Sequence, residues 1–457
     1  MAVTGLARLQ RLARRAQAEA RIPALSVALH RADRPLWTLA VGASGTDRPL
    51  DADTLFRMGS VTKTFTAVLV MQCRDEGLLD LDDGVGRHLP VPAHGELTVR
   101  RLLSHTAGLQ REAYGDVWDT LEMPDARRLV ADLARVERVL PTARRYHYSN
   151  LGFTLLGLMV ARLRGATWAE VLADRILGPL GLGGIAVEPD DRAAVGYLVD
   201  AYSDHARPEP ATDFSSLAPA GQLWGTASDL ARWAAFLADP ATVDAGGAVL
   251  SPSTVDEMRY PLTVTDENTW AVGFGLGLML QPRGDRVTHV GHDGAMPGFL
   301  AGAYGRCGGA GTPPACGVAV LGSSGTAVAT NELAHTLLDA AVDEDPADVE
   351  AWTPGEAAPE EYRSALGPWW SEGFQFVFTW RDGTLRARLA ADATDRPPSV
   401  FEPIGDGDLR TVSGREAGER LRLERDPSTG EVRRMHWATY RFTRTQETFD
   451  GVAPGEP

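Results

Sequence analysis

The sequence predicts an α+β fold for residues 1–345, with a central sheet, flanking helices and a helical subdomain, followed by a small all-β barrel at 361–457. Three observations lead to this prediction. Strand-like alternation occurs near both ends of the first region, and a helix-rich stretch lies between. The acidic, Pro-containing segment 346–360 has no apolar period, which is typical of a linker. Beyond it the chain carries short alternating segments with tight turns, which favours a barrel.

The first element is an amphipathic helix. Leu6, Leu9, Leu12 and Ala16 recur at helical spacing, with arginines between them. The segment lacks the continuous apolar core of a secretory signal peptide. We therefore expect the protein to remain in the cytoplasm.

The following elements alternate between strand and helix. Residues 24–42 predict a β-hairpin, and residues 60–77 predict an apolar helix. Residues 98–240 are helix-rich with short loops, whereas 271–325 return to Gly-rich apolar segments that are typical of strands. A last helix is predicted over 331–342. Because strands lie on both sides of the helical region, we expect the two strand groups to form one sheet.

Composition limits the possible partners. The 457 residues are 44% hydrophobic and 23% charged, which is ordinary for a globular protein and excludes disorder or fibrous structure as the main state. The formal net charge of −16 gives an acidic surface that repels nucleic acid and anionic lipid. The longest apolar run, 151–161, is too short to span a bilayer. We therefore expect neither nucleic acid nor a membrane as a partner.

Cysteine usage indicates neither a disulfide framework nor a metal site. The chain has three cysteines, Cys73, Cys307 and Cys316, without the spacing of zinc ligands. Cys307 and Cys316 flank a Gly/Pro-rich stretch, and the sequence leaves open whether they pair. We predict no metal and no cofactor.

The first reactive motif lies in the segment 56–63. Gly59 permits a tight turn before a helix, and Ser60 and Lys63, three residues apart, share one helical face. At the start of a helix, backbone N–H groups and the helix dipole favour a developing oxyanion. A neighbouring amine whose pKa is lowered by burial can take the serine proton. The spacing S-x-x-K alone occurs by chance in most long chains.

The use of lysine adds to this motif. Lys63 is the only lysine of the chain, and the remaining basic residues, out of 45, are all arginine. There are two interpretations. In the first, this lysine has survived by drift alone. In the second, position 63 needs an amine that can lose its proton, which arginine cannot do. The second interpretation makes Lys63 a candidate general base for Ser60.

Two later motifs add candidate residues. In the segment 146–150, Tyr148 is either a core aromatic or a proton relay. Asn150 is either the cap of the following helix or an amide that orients substrate and lysine. In the segment 289–299, glycines let a backbone edge approach a ligand closely. The alternative for this last segment is a Gly-rich turn with a surface histidine.

Together and in this order, the motifs resemble the serine β-lactamase and penicillin-binding-protein superfamily, most of all its branch of class C β-lactamases, D-aminopeptidases and related esterases. The resemblance covers residues 20–340 and implies a sheet of the β-lactamase/DD-peptidase type. The segments that carry it are Ser60–Lys63 (S-x-x-K), Leu103–Leu109, Tyr148–Asn150 (Y-x-N), Ala220–Leu230 and His292-Asp293-Gly294, where many members have K-T-G.

The resemblance implies an acyl-enzyme cycle. Ser60 attacks a carbonyl while Lys63 takes its proton, and Tyr148 relays protons to the leaving group and from the incoming nucleophile. His292 polarises Tyr148 and the substrate end. The oxyanion rests on the backbone N–H groups of Ser60 and Ala295.

The same resemblance implies contacts with substrate at Trp224 and Gly294. It also bears on the substrate, because His292 stands where many members have a lysine. That lysine pairs with the carboxylate of a β-lactam drug. The replacement therefore favours an esterase or an acyl transferase over a strong β-lactamase.

A catalytic region without an export signal, followed by a β-barrel, is an organisation that resembles the stand-alone penicillin-binding-protein-type thioesterases of actinobacterial nonribosomal peptide pathways. Those enzymes resemble D-Ala-D-Ala peptidases fused to a lipocalin-like domain. The similarity implies a peptidyl thioester with a C-terminal D-residue, held on pantetheine or on a peptidyl carrier protein, and attack by the peptide's own N-terminal amine to give a macrocycle. It also implies that an arginine of the barrel binds substrate. Arg441 and Arg444 are the candidates, and each is otherwise only a surface charge on a strand.

Two other functions remain open. A hydrolytic esterase, amidase, D-aminopeptidase or β-lactamase-like enzyme would use the same residues, with water as the deacylating nucleophile. A non-catalytic receptor for cell-wall fragments or β-lactams is disfavoured, because all the reactive groups are present.

Overall fold

The structure is a computed structural model that describes residues 3–141, 145–309, 311–326, 329–348, 351–392, 396–448 and 450. The chain forms two compact units, Met1–Asp348 and Val349–Pro457, which are described separately below. Across the described ranges, no helix combines the length and the apolar character that crossing a membrane requires.

Thirteen strands are described in the first unit. They are β1 (Ala24–His30), β2 (Trp37–Gly42), β3 (Phe56–Arg57), β4 (Ile185–Ala186), β5 (Tyr197–Val199), β6 (Ala206–Pro208), β7 (Trp224–Gly225), β8 (Thr263–Val264), β9 (Gly273–Phe274), β10 (Met279–Gly284), β11 (Val287–Met296), β12 (Phe299–Cys307) and β13 (Gly317–Gly322).

An antiparallel sheet of eight of these strands organises the unit, in the order β2-β1-β13-β12-β11-β10-β9-β8. The N-terminal hairpin pairs with β13, with Val27 opposite Val320. The prediction that the two strand groups form one sheet is therefore confirmed. A small sheet of order β3-β7-β4 lies beside the main one in the chain's first unit and carries the residues that precede Ser60.

The helices of this unit lie between and around those strands. They are α1 (Val3–Glu19), α2 (Thr62–Asp75), α3 (Val99–Leu103), α4 (Val117–Thr120), α5 (Ala126–Asp132), α6 (Asn150–Arg164), α7 (Trp168–Leu172), α8 (Gly178–Leu180), α9 (Ala218–Gly221), α10 (Ala227–Ala238), α11 (Pro240–Val243), α12 (Pro252–Met258) and α13 (Ala329–Glu344).

Two hydrophobic cores lie on opposite faces of the main sheet. Because side chains alternate along a strand, Val27 of β1 packs against α1 and α13 on one face, while Ala28 belongs to the other core. That second core includes α2, α6 and α10. It surrounds the segments that carry the reactive motifs.

Helix limits differ slightly from the prediction. A 3-10 turn, Gly59–Val61, precedes α2, so Ser60 lies in this turn and Lys63 lies in the first turn of the α-helix. The predicted stop is confirmed, since α2 ends at Asp75 and Gly77 adopts a left-handed conformation with φ of 72°. Helix α13 extends beyond the predicted 331–342 at both ends.

The second unit is an antiparallel barrel of eight strands joined in chain order. Trp370 and Thr443 close it almost completely through two backbone hydrogen bonds of 2.8 and 3.0 Å. The barrel was predicted, whereas its lipocalin-like identity stays a prediction. Its elements are α14 (Glu360–Arg363), β14 (Gly367–Ser371), β15 (Phe374–Arg381), β16 (Thr384–Leu389), β17 (Ser399–Gly405), β18 (Asp408–Ser413), β19 (Arg420–Arg425), β20 (Val432–Trp437) and β21 (Tyr440–Phe442).

The three cysteines are free. Cys73 and Cys316 are buried, and Cys307 is partly exposed. The pairing of Cys307 with Cys316 that the sequence left open is therefore not formed.

Candidate active site

Ser60 and Lys63 meet at the start of α2. The Nζ atom of Lys63 lies 3.0 Å from Oγ of Ser60 and donates to the backbone carbonyl of Ala220 at 2.6 Å. The side chain of Lys63 is 0% exposed. The spacing in the sequence therefore produces a direct contact between the candidate nucleophile and the candidate base.

The surroundings of Lys63 favour its neutral form. Burial lowers its pKa well below the usual value, the positive charge of Arg111 lowers it further, and the negative charge of Glu112 opposes both. A neutral amine has two N–H bonds and one lone pair. When one N–H is donated to Ala220, the lone pair is available to accept the proton of the Ser60 hydroxyl.

Tyr148 covers the lysine. Its ring centre lies 4.9 Å from Nζ of Lys63, and the guanidinium of Arg111 lies 4.7 Å from the same ring. Burial raises the pKa of Tyr148, and a hydrogen bond with Ser60 acts in the opposite direction. The phenol therefore keeps its proton in the free protein, and it can donate that proton toward a group bound at Ser60.

A histidine of the 103–109 segment supports Tyr148. The ring centre of His105 lies 4.3 Å from that of Tyr148, with the two planes tilted by 32°, and its Nδ1 accepts a hydrogen bond from the backbone N–H of Ser149 at 3.0 Å. Its left-handed φ of 55° is unusual for a residue with a Cβ. Burial lowers the pKa of His105 far below its usual value. This residue is thus a neutral support for Tyr148, a role that sequence reasoning did not assign.

Asn150 lies at the site but does not contact Lys63 through a described hydrogen bond. The cap of α6 is Ser149, whose Oγ accepts from the backbone of Gly152, so Asn150 is not that cap. The Nδ2 atom of Asn150 donates to Oε1 of Glu112 at 2.7 Å. Its amide therefore orients a carboxylate, and its predicted contact with substrate stays a prediction.

Glu112 is a site residue that sequence reasoning missed. Its Oε1 accepts from Asn150 and lies 3.3 Å from Nε of Arg111. Its Oε2 is buried and has no hydrogen-bond partner within the described parts of the chain. No periodic pattern marks this residue, and its position shortly after the 103–109 segment is the only signal that could have found it. The site therefore contains an anion with unused capacity for a hydrogen-bond donor.

His292 is a neutral ring in the free protein. Its Nδ1 lies 2.5 Å from the carbonyl oxygen of Asp293, and because a carbonyl only accepts, Nδ1 carries the proton. Burial, followed by the charge of Lys63, lowers the pKa of His292 to about 3. Its Nε2 is buried without a partner among the residues described, and its ring centre lies 6.1 Å from that of Tyr148. Any polarisation of Tyr148 by His292 therefore comes from an uncharged ring.

Two glycines bring β11 against the turn that carries Ser60. A Cβ added to Gly59 would lie 2.7 Å from the backbone nitrogen of Ala295, and one added to Gly294 would lie 1.9 Å from the carbonyl oxygen of Met58. Only glycine permits both approaches. The backbone of Ala295 therefore lies against the turn that carries Ser60. An oxyanion site formed by the N–H groups of these two residues stays a prediction. Gly294 itself faces Met58, so its role here is close packing and a contact with substrate stays a prediction.

The structure places Trp224 in the core. It is 4% exposed, its ring lies 5.4 Å from that of Phe299 in an edge arrangement, and the guanidinium of Arg57 lies 5.6 Å away. In this structure the indole therefore packs against other side chains, and its predicted contact with substrate stays a prediction. The sequence identified the segment 220–230 but not the direction of this side chain.

The two candidate arginines of the barrel differ in their use. Arg444 donates to the carbonyls of Pro368 and Leu366 at 3.0 Å, and it lies 3.9 Å from the ring centre of Trp369. Arg441 donates to the carbonyl of Thr448 at 2.7 Å and lines a pocket of about 430 Å³ together with Trp370 and Tyr440. Arg444 therefore holds the barrel together, whereas Arg441 lines a cavity in which a ligand group could bind.

Comparison with known proteins agrees with this geometry. A family model described as Beta-lactamase matches residues 9–343, and a second one, described as a domain of unknown function (DUF7586), matches 358–444. The chain is 34% identical over 301 residues to Penicillin-binding protein 4 of Amycolatopsis lactamdurans, which covers 61% of this chain and 76% of that protein.

Solved structures also resemble the chain over nearly its whole length, among them two of SurE. The crystal structure of SurE has a TM-score of 0.61 at 27% identity and covers 96% of this chain and 99% of SurE. SurE with D-Leu has a TM-score of 0.57 at 26% identity, with the same coverage of 96% and 99%.

Proposed function

The chain belongs to the β-lactamase family of serine hydrolases, and from that premise we propose that it is a serine acyltransferase acting on a peptidyl thioester. Ser60 takes the peptidyl group, and the peptide's own N-terminal amine then releases it as a macrocycle. A peptidyl carrier protein or pantetheine presents the substrate.

The observation that carries the proposal is the hydrogen-bonded set of Ser60, Lys63 and Ala220. In acylation, Oγ of Ser60 bonds to the thioester carbon, its proton moves to the Lys63 lone pair, and the C–S bond breaks. Tyr148 supplies a proton to the departing sulfur and is reprotonated from Lys63. General-base assistance of this kind contributes about 10²–10⁴-fold. The two backbone N–H groups of the oxyanion site supply a further stabilisation of the tetrahedral intermediate.

Deacylation reverses these proton movements. The amine nitrogen bonds to the carbon of the acyl ester, loses a proton to the Tyr148–Lys63 pair, and the Ser60 oxygen leaves and regains its proton. Glu112 supports an amine as the nucleophile, because its buried Oε2, which has no hydrogen-bond partner among the described residues, attracts the ammonium form of the peptide N-terminus. That ammonium gives one proton to solvent, and the neutral amine then attacks. Neutral water gains no comparable attraction from this charge.

Two further observations support a peptide with a D-residue at its acylating end. The similar protein SurE has been solved with D-Leu. The barrel contains the pocket lined by Trp370, Tyr440 and Arg441, and also by Glu372 and Glu447, so aromatic walls and charges of both signs are available to a peptide. The guanidinium of Arg441 lies 3.8 Å from the carboxylate of Glu447, which a bound peptide carboxylate would replace or share. In this proposal Arg441, and not Arg444, is the substrate-binding arginine of the barrel.

Hydrolysis is the second candidate. The 34% identity to a penicillin-binding protein favours it, and the side chains of Ser60, Lys63 and Tyr148 can activate water through the same proton movements. The neutral His292 lacks the charge that would hold the carboxylate of a β-lactam, so a strong β-lactamase is the least favoured form of this alternative.

The test is a product analysis with the full chain. A linear peptide ending in a D-residue is supplied as its pantetheine thioester, and the products are separated and weighed by mass spectrometry. The same peptide with an acetylated N-terminus is the control, because it cannot cyclise. A product lighter than the linear acid by the mass of one water, formed only from the free-amine peptide, supports the macrocyclase. The linear acid from both peptides would establish the hydrolase instead.

The role of the barrel is tested by comparing Arg441→Ala with Arg444→Ala in the full chain. We expect Arg441→Ala to raise the ratio of linear to cyclic product while the protein stays folded. Arg444→Ala should instead lower the unfolding temperature of the barrel, since its guanidinium holds backbone carbonyls. Unchanged product ratios in folded Arg441→Ala would remove this residue from substrate binding.

A further inference from the structure

A second cation is buried just before the nucleophile. Arg57 lies on β3 and is 2% exposed. Within the part of the chain that the structure describes, no carboxylate forms an ion pair with it, and the charges of Asp213 and Glu188 act only from a distance. Burying a guanidinium without a carboxylate partner costs desolvation free energy. The groups that hydrogen-bond to Arg57 in place of a carboxylate therefore indicate which part of the chain this side chain holds in position.

The partners of Arg57 all belong to one segment, 212–224. Its Nη2 atom donates to the carbonyl of Thr212 and, at 2.9 Å, to Oε1 of Gln222. The same oxygen of Gln222 accepts from the backbone N–H of Phe214 at 3.0 Å. The guanidinium also lies 5.2 Å from the ring of Phe214. One arginine and one glutamine therefore tie the two ends of this segment together.

The helix α9 lies between those ends and carries the Ala220 carbonyl. With four residues, α9 has few internal hydrogen bonds to fix its position. Two hydrogen bonds join it to α2: Thr66 Oγ1 donates to the carbonyl of Pro219 at 2.8 Å, and Lys63 Nζ donates to the carbonyl of Ala220 at 2.6 Å. The carbonyl that directs the lone pair of Lys63 toward Ser60 thus depends on how this short helix is held.

We propose that Arg57 and Gln222 are positioning residues for the general base: together they hold α9 so that the Ala220 carbonyl keeps the lone pair of Lys63 directed at Ser60. In the described structure, the hydrogen bonds of these two side chains go to Thr212, Phe214 and each other, and not to Ser60 or Lys63. The inference rests on the proposed function in one respect, namely that Lys63 takes the proton of Ser60.

The variant Gln222→Met removes the acceptor for Arg57 at similar volume. Gln222→Glu keeps an acceptor at the same place and pairs with the guanidinium, so it should restore the link. Gln72→Met is the matched control, because Gln72 is 3% exposed, lies on the same helix as Lys63, and donates to the carbonyls of Arg175 and Val249, away from Ser60. Circular dichroism and a melting curve show which variants fold.

The measurement is the rate of acylation by a chromogenic ester in a single turnover, followed across pH, with the mass of the adduct on Ser60 as a check. We expect Gln222→Met to acylate about 10- to 100-fold more slowly, since a small misplacement of a reacting group has effects of this size. The rising limb of the pH profile should also move to lower pH, because the ammonium form of Lys63 loses its carbonyl acceptor. A folding defect alone would lower the acylation rate by the same factor at every pH and would leave the position of the rising limb unchanged.

Three results would overturn the inference. The first is a folded Gln222→Met protein with the wild-type rate and an unmoved limb. The second is an equal loss of rate in Gln72→Met, and the third is no recovery of rate in Gln222→Glu. A wild-type protein that forms no adduct on Ser60 would instead contradict the proposed function, so the two failures are distinguished by the wild-type adduct.

Discussion

Lys63 and Arg57 are both shielded from solvent, at 0% and 2% exposure, yet their surroundings give them different states. Burial lowers the pKa of Lys63 well below its usual value, whereas that of Arg57 falls only to about 10. The amine contacts a hydroxyl and one carbonyl, and the guanidinium is held by a carbonyl, an amide and two aromatic rings. The same burial therefore produces a base at Lys63 and a charged anchor at Arg57.

The comparison explains why a chain with so many arginines has one lysine. A guanidinium remains protonated in this interior and can only hold other groups in place. An amine in the same interior changes its protonation state and can do chemistry. The predictions below test this difference, beginning with the largest expected effect.

Removal of the nucleophile gives the largest effect. Ser60→Ala should form no acyl adduct, because Ser60 has the only hydroxyl that hydrogen-bonds to Lys63 within the described residues. Intact-mass analysis after exposure to an activated ester measures this directly, with circular dichroism as the folding control. An adduct of the same stoichiometry on the alanine variant would show that the buried lysine serves another group.

Exchange of the amine for a guanidinium tests the comparison at its centre. Lys63→Arg should stay folded and acylate at least about 10²-fold more slowly, the low end of general-base effects, because arginine keeps its proton. Stopped-flow measurement with a chromogenic ester gives the rate. Acylation within a few-fold of wild type would mean that position 63 requires only a positive charge, and that the single lysine is an accident of composition.

The charge beside Lys63 has a smaller influence. Glu112→Gln keeps the hydrogen bond from Asn150 and removes the negative charge that raises the pKa of Lys63. The rising limb of the acylation profile should therefore move to lower pH, by about one pH unit, the low end of the effect of one nearby charge. The ratio of cyclic to linear product should fall. A profile that does not move would show that Glu112 has no electrostatic effect on the base.

Part of this site could be predicted from the sequence. The contact of Ser60 with Lys63 follows from a three-residue spacing at a helix start, and the single sheet follows from strand-like segments on both sides of a helical region. The role of Ala220 could not be predicted, because it acts through a backbone carbonyl that has no side-chain signature. Glu112 depends on a contact with Asn150 that only the tertiary fold creates.

The directions of individual side chains could not be predicted from the sequence either. The segment 220–230 was identified, but a short segment does not show whether Trp224 faces the substrate or the core. Similarly, Arg441 and Arg444 lie close together in sequence, and their different uses depend on which backbone carbonyls the closing barrel presents. The cytoplasmic location and the lipocalin-like identity stay predictions.

The last prediction concerns stability and separates Lys63 from Arg57 by the pH dependence of unfolding. An unfolded lysine has a pKa of about 10.4, and that of Lys63 in the folded protein is lower, so between these two values the unfolded chain binds more protons. Wild-type stability should therefore rise with pH across this window, by up to about 1.4 kcal/mol per pH unit, and fall as pH decreases toward the folded pKa.

Lys63→Met cannot bind this proton, so its free energy of unfolding should lack the part of the pH dependence that Lys63 contributes. The free energy of unfolding of the variant relative to that of wild type should therefore be most favourable at low pH. Arg57→Met should be less stable than wild type by an amount that does not change from about pH 7 to 9, because the folded pKa of Arg57, about 10, lies above that range. Urea unfolding at several pH values measures all three proteins. Parallel stability curves for wild type and Lys63→Met would show that the buried amine stays charged, and the distinction between base and anchor would then be wrong.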